Sequence, residues 1–106
     1  MYRQGDILIA PVESIPEGAQ PLPRENGLVV LARGEVAGHT HAIRSENATL
    51  FQPTWGGELR FLKVVATSAR LEHEEHAAIC LPPGAYRVIR QREYESRMGG
   101  GVYVAD

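Results

Sequence analysis

Cysteine is nearly absent from this chain. Cys80 is the single one in 106 residues, so no intramolecular disulfide can form and a cysteine zinc ribbon is excluded. Its apolar surroundings, Ala77-Ala78-Ile79-Cys80-Leu81, predict a small buried residue rather than a reactive thiol. Long apolar runs are also missing. The longest uninterrupted ones are about five residues, too short for a secretory leader core or a membrane span. Together with the unpaired cysteine this predicts a cytoplasmic protein that does not enter membranes. There is no basic excess either. Eleven Lys+Arg against thirteen Asp+Glu give a net charge of −2, which disfavours dedicated binding to a polyphosphate backbone. No phosphate-cradling glycine loop and no serine nucleophile motif occurs.

What remains is an ordinary globular composition, 43% hydrophobic and 23% charged. A chain of this mass buries roughly two-thirds of its surface on folding, enough for one core. A single domain over 1–106 is therefore expected. Its apolar runs are short and punctuated by Gly and Pro. They are Ile7 to Ala10, Leu28 to Ala32, His39 to Ile43, Thr49 to Phe51, Leu59 to Ala66, Ala85 to Tyr94 and Val102 to Val104. About seven short strands at this spacing predict an all-β fold, a small barrel or sandwich. Pro16 to Gly27 reads as a surface loop, and Gly99 to Gly101 as a joint before an edge strand. Ser68 to Cys80 is ambiguous. Alternation puts Leu71, His73, Glu75, Ala77 and Ile79 on one strand face, whereas the Ser cap and helix formers allow one short helix near 68–80.

All four histidines fall in two tight pairs, His39-Thr40-His41 and His73-Glu74-Glu75-His76. On a strand, His39 and His41 share a face with Cα atoms roughly 7 Å apart, so two imidazoles can converge on one ion. The second pair supplies either His73 and His76 from a helix, or His73 and Glu75 from a strand. Either set suits one divalent transition metal, zinc first, with Mn, Fe, Ni and Cu as alternatives. The competing reading is a solvated, pH-sensitive histidine cluster. Glu74 and Glu75, beside Glu72, are the candidate general bases for a metal-bound water whose pKa the ion lowers toward 7.

Gly34, His39-Thr40-His41 and Glu46 resemble a degenerate first cupin motif, and Leu81 to Tyr86 (LPPGAY) is similar to the turn of the second. That resemblance implies a small β-barrel in which His39, His41 and Glu46 are metal ligands. Arg87 stands where the second motif places a histidine. More broadly, GHTHAI, HEEH, LPPGAY and RQREY, with the opening GDILIAPV, resemble a small uncharacterised bacterial and phage family, which brings no activity with it.

Arg90 and Arg92 share a strand face with Val88 and Tyr94 and could clamp a small anionic substrate; a solvated face paired with Glu93 and Glu95 is the plainer reading. Trp55 sits at an expected hairpin tip, either contacting a ligand or packing over a barrel mouth. Asp6 after Gly5 reads as turn chemistry. Exposed strand edges in so small a domain point to a homo-oligomer. The leading expectation is a small metal-dependent hydrolase. Its alternatives are a module whose metal is structural, at the fold or an oligomer interface, and a metal-free β module that binds a partner.

Overall fold

The computed structural model describes residues 1–34 and 38–91. Among these the regular elements are ten β-strands: β1 (Tyr2–Gln4), β2 (Ile7–Val12), β3 (Gln20–Pro21), β4 (Val29–Arg33), β5 (Thr40–Ile43), β6 (Ala48–Gln52), β7 (Arg60–Val64), β8 (Ala69–Glu72), β9 (Ile79–Leu81) and β10 (Gly84–Arg90). They form two antiparallel sheets, ordered β1-β2-β10-β7-β6-β3 and β4-β5-β8-β9. The sheets do not close on each other, so the sandwich alternative is realised and the barrel is not. No helix among the described residues is long and apolar enough to cross a membrane.

One core joins the sheets. Ile7, Ile9, Leu62, Val64, Tyr86 and Val88 from the larger sheet pack in one cluster with Val29, Leu31, Ile43, Ala69, Leu71 and Leu81 from the smaller. The alternation that predicted strands is the cause: in β8, Ala69 and Leu71 are buried while Arg70 is exposed, because successive side chains leave opposite faces.

Turn chemistry sets the registers. Gln4 pairs with Ile7 across the two-residue turn Gly5-Asp6, and Gly5 has φ +59°, as a primed hairpin turn needs at its first position. Asn26 and Gly27 likewise have φ of 52° and 80° between the bridged residues Glu25 and Leu28. The segment expected to be a plain surface loop thus holds an Asn-Gly hairpin turn and the short β3 (Gln20–Pro21).

The helix alternative for 68–80 is not formed. The segment is β8, an irregular turn from His73 to Ala78, and β9. The strand reading fails in its middle too, since His73 and Glu75 lie in that turn and share no strand face. Packing explains both outcomes: Ala69, Leu71 and Leu81 fill the core, and the four charged or imidazole side chains from His73 to His76 do better in solvent than on a buried face. Cys80, expected to be buried, is exposed, because Leu81 takes the inward position beside it. Trp55, between β6 and β7, is 67% exposed. The last run ends as β10 at Arg90; Arg92, Glu93, Tyr94, Glu95, Gly99 to Gly101 and Val102 to Val104 lie outside the described residues.

Candidate metal centre

The fold brings all four histidines together. His39 immediately precedes β5, His41 lies within it, and His73 and His76 lie in the β8–β9 turn. Because β5 pairs with β8, with Ala42 opposite Glu72, the start of β5 and the end of β8 are neighbours. Ring centroids are 5.5 Å apart for His39–His73, 4.4 Å for His41–His73, 4.7 Å for His73–His76 and 6.4 Å for His41–His76.

Within this cluster His39, His73 and Glu74 offer ligand atoms that all lie within 4.8 Å of one another. Several contacts hold them. The Thr40 backbone N–H donates to Glu74 Oε1 at 2.9 Å, tying the turn to β5. That bond, then one from Glu74's own backbone N–H and lastly the imidazoles of His39 and His73, keep the Glu74 carboxyl below the usual carboxylate range. The Glu75 N–H donates to His73 Nδ1 at 3.0 Å, so the neutral His73 ring carries its proton on Nε2. Gly34 N–H donates to His39 O at 2.7 Å, closing the loop that delivers His39. A side chain at Gly34 would place Cβ 2.9 Å from His39 Cβ and 3.3 Å from His73 Nε2. Only glycine lets these two rings approach.

His41 is different in kind. It is 1% exposed, its ring turned inward with Ile43 on the core face. Gln4, itself 2% exposed, donates both amide hydrogens, to Leu71 O and Ala77 O at 3.0 Å each. Its Oε1 therefore faces His41 Nδ1, at 2.9 Å, and Nδ1 must be the donor. His41 Nε2 lies 3.4 Å from Asp6 Oδ1, and Asp6 Oδ2 lies 3.3 Å from Arg90 Nε. Burial, reinforced by the neighbouring His73, lowers the His41 pKa to about 4, against the opposing pull of Asp6. His41 is neutral at pH 7, so its approach to Asp6 is not an ion pair there.

Beside the cluster lies a groove of about 360 Å³ on the outer face of the smaller sheet. Thr40, Arg44, Arg70, His73, Glu74 and His76 are among its lining residues. Glu72 sits between the two arginines, 3.5 Å from Arg44 Nε and 3.0 Å from Arg70 Nε.

The expected site residues are thus mostly brought together, with changed partners. His39 does not pair with His41 through a common strand face; it meets His73 and Glu74. Glu75 is exposed, with Oε2 3.9 Å from His39 Nδ1. Glu46 lies in the turn at the opposite end of β5, away from His39, so the cupin-like ligand set does not assemble. Arg90 is not a free clamp: it engages Asp6 and donates to the Arg33 carbonyl. Sequence reasoning missed Gln4 and Thr40, and gave Asp6 only a turn role. The one available signal was a polar residue beside the Gly5-Asp6 turn; nothing local shows that it reaches residues 71 and 77.

The chain belongs to the family described as domain of unknown function DUF8820, whose model matches residues 3–91. GHTHAI, HEEH and LPPGAY all fall inside the matched segment. No curated protein and no solved structure matches the chain.

Proposed function

We propose that this DUF8820 chain binds a divalent transition metal through His39, His73 and Glu74 and uses it to activate water for hydrolysis of a small anionic substrate. The observation that carries the reading is the convergence of those three donors within 4.8 Å at the head of the Arg44–Arg70 groove. Two imidazoles and a carboxylate suit zinc, with Mn, Fe, Ni or Cu as alternatives. Three protein ligands leave one position of a tetrahedral ion open, as a hydrolytic centre requires.

The two glutamates take separate roles. Glu74, whose carboxyl is held in its ionised form, is a good ligand and a poor base. Glu75, exposed and beside His39, is the better acceptor for a proton from bound water. Arg44 and Arg70, which line the groove, hold the anion in exchange for their contacts with Glu72. His73 Nδ1 would give up the Glu75 N–H to hold the ion.

A structural metal is the second reading, favoured by one feature: the three donors come from two loops that a bound ion would staple together. The experiment is elemental analysis followed by azide and phosphate titration of the Co²⁺-loaded protein. A stoichiometric ion whose visible spectrum shifts with azide supports the open centre. A stoichiometric ion blind to anions, with melting on chelation, supports the staple. Absence of metal after incubation with Zn, Mn, Fe and Ni salts overturns both.

A further inference from the structure

Arg60 carries a charge into the space between the two sheets. On β7 the core side chains are Leu62 and Val64, and alternation places Arg60 on the same face. Its cross-strand neighbour Val88 also belongs to the core. At this end of the sandwich the layers leave a cleft of about 210 Å³. Ile7, Leu31 and Val88, none more than 7% exposed, line it together with Ala32, Glu58, Arg60 and Arg90.

One of the three charged groups is already engaged. Arg90 Nε lies 3.3 Å from Asp6 Oδ2, and the guanidinium donates to the Arg33 carbonyl. Arg60 is held in place but not neutralised. Its Nη1 donates to Gly57 O at 2.8 Å and to Leu59 O at 2.9 Å, and among the described residues no carboxylate pairs with it. Glu58, exposed at the mouth of the same cleft, has no cation partner among the described residues either. Opposite charges thus flank one apolar recess without pairing with each other. A zwitterion with an apolar body complements that arrangement. Its carboxylate meets Arg60 in a charge-assisted hydrogen bond, its ammonium meets Glu58, and its body leaves water for Ile7, Leu31 and Val88. The size agrees, since a cavity of about 150 Å³ takes a benzene ring and this one leaves room for the head groups at its mouth.

We propose that this cleft binds a free α-amino acid with a branched aliphatic or phenyl side chain, its carboxylate on Arg60 and its ammonium on Glu58. The cleft shares no lining residue with the Arg44–Arg70 groove, so the proposal stands apart from the metal reading.

The test is titration of the chelator-treated chain with L-leucine, followed by heteronuclear NMR, so that metal-bound amino acid contributes nothing. Isocaproate, which lacks the ammonium, and isoamylamine, which lacks the carboxylate, are titrated beside it. Leucine is expected to saturate with a dissociation constant of about 1 mM or below, shifting the Leu31, Ala32 and Val88 amides. Each partial ligand should bind at least tenfold more weakly. R60Q should weaken leucine at least tenfold; E58Q should weaken leucine while leaving isocaproate unchanged or tighter. Isocaproate binding as tightly as leucine overturns the proposal, because Glu58 then has no role. Shifts confined to residues outside the cleft, or no saturation by about 10 mM leucine, overturn it too. If R60Q does not fold, for want of its bonds to Gly57 and Leu59, E58Q and the partial ligands decide, since Glu58 is solvent-exposed.

Discussion

Gln4 Oε1 lies 2.9 Å from His41 Nδ1, and through that contact the first strand places a proton on that nitrogen of a histidine 37 residues away. The same amide ties down the turn carrying His73 and His76. One buried side chain thus organises both segments that build the cluster.

Replacing Gln4 with leucine strands the Leu71 and Ala77 carbonyls and the His41 N–H. Unsatisfied buried groups of this kind cost about 1–3 kcal/mol each before relaxation. The expected loss is about 2–4 kcal/mol, a fall of roughly 10 °C or more in Tm. A thermal melt within 2–3 °C of wild type would show that the amide does not hold the turn.

Stability of the metal-free protein should fall on acidification. His41 has its pKa lowered from 6.5 to about 4 by folding, so between those values the unfolded chain binds a proton that the folded one refuses. The His41 contribution is complete above pH 6.5 and is lost progressively down to pH 4, amounting to about 3 kcal/mol. Urea titrations across this range check it. In an H41Q variant the slope attributable to this group disappears; an unchanged slope would assign the effect to other groups.

Gly34 tests the metal position at His39, His73 and Glu74 without replacing a ligand. In G34A the added methyl meets His39 Cβ at 2.9 Å and the His39 carbonyl at 3.2 Å, so the loop must move and separate His39 from His73. Metal affinity there should drop at least tenfold, while the core, which Gly34 does not enter, melts near its usual temperature. Unchanged affinity would remove His39 from the ligand set.

Glu74 and Glu75 separate by readout. E74A removes a donor and the acceptor for Thr40 N–H, so metal uptake falls. E75Q leaves uptake within a factor of about three and abolishes hydrolysis of a phosphoester or ester substrate. Loss of metal in both variants would make Glu75 a ligand and leave the centre without a base.

Hydrophobic alternation and Gly/Pro punctuation, which depend on local backbone geometry, determined the all-β class and most strand positions. The paired histidines were equally plain, because their spacing is printed in the chain. Other decisions belonged to tertiary structure. Only packing showed that residues 68–80 break into strand, turn and strand, since either period satisfied the local pattern and burial of Leu71 and Leu81 chose between them. Only β5–β8 pairing showed that His39 meets His73 and Glu74 rather than His41. Only the long reach from β1 put Gln4 and Asp6 around His41. A hydrogen bond between residues 37 apart leaves no trace in the local period of either segment, so the partners that fix a buried histidine's tautomer and pKa appear only when the sheets are assembled.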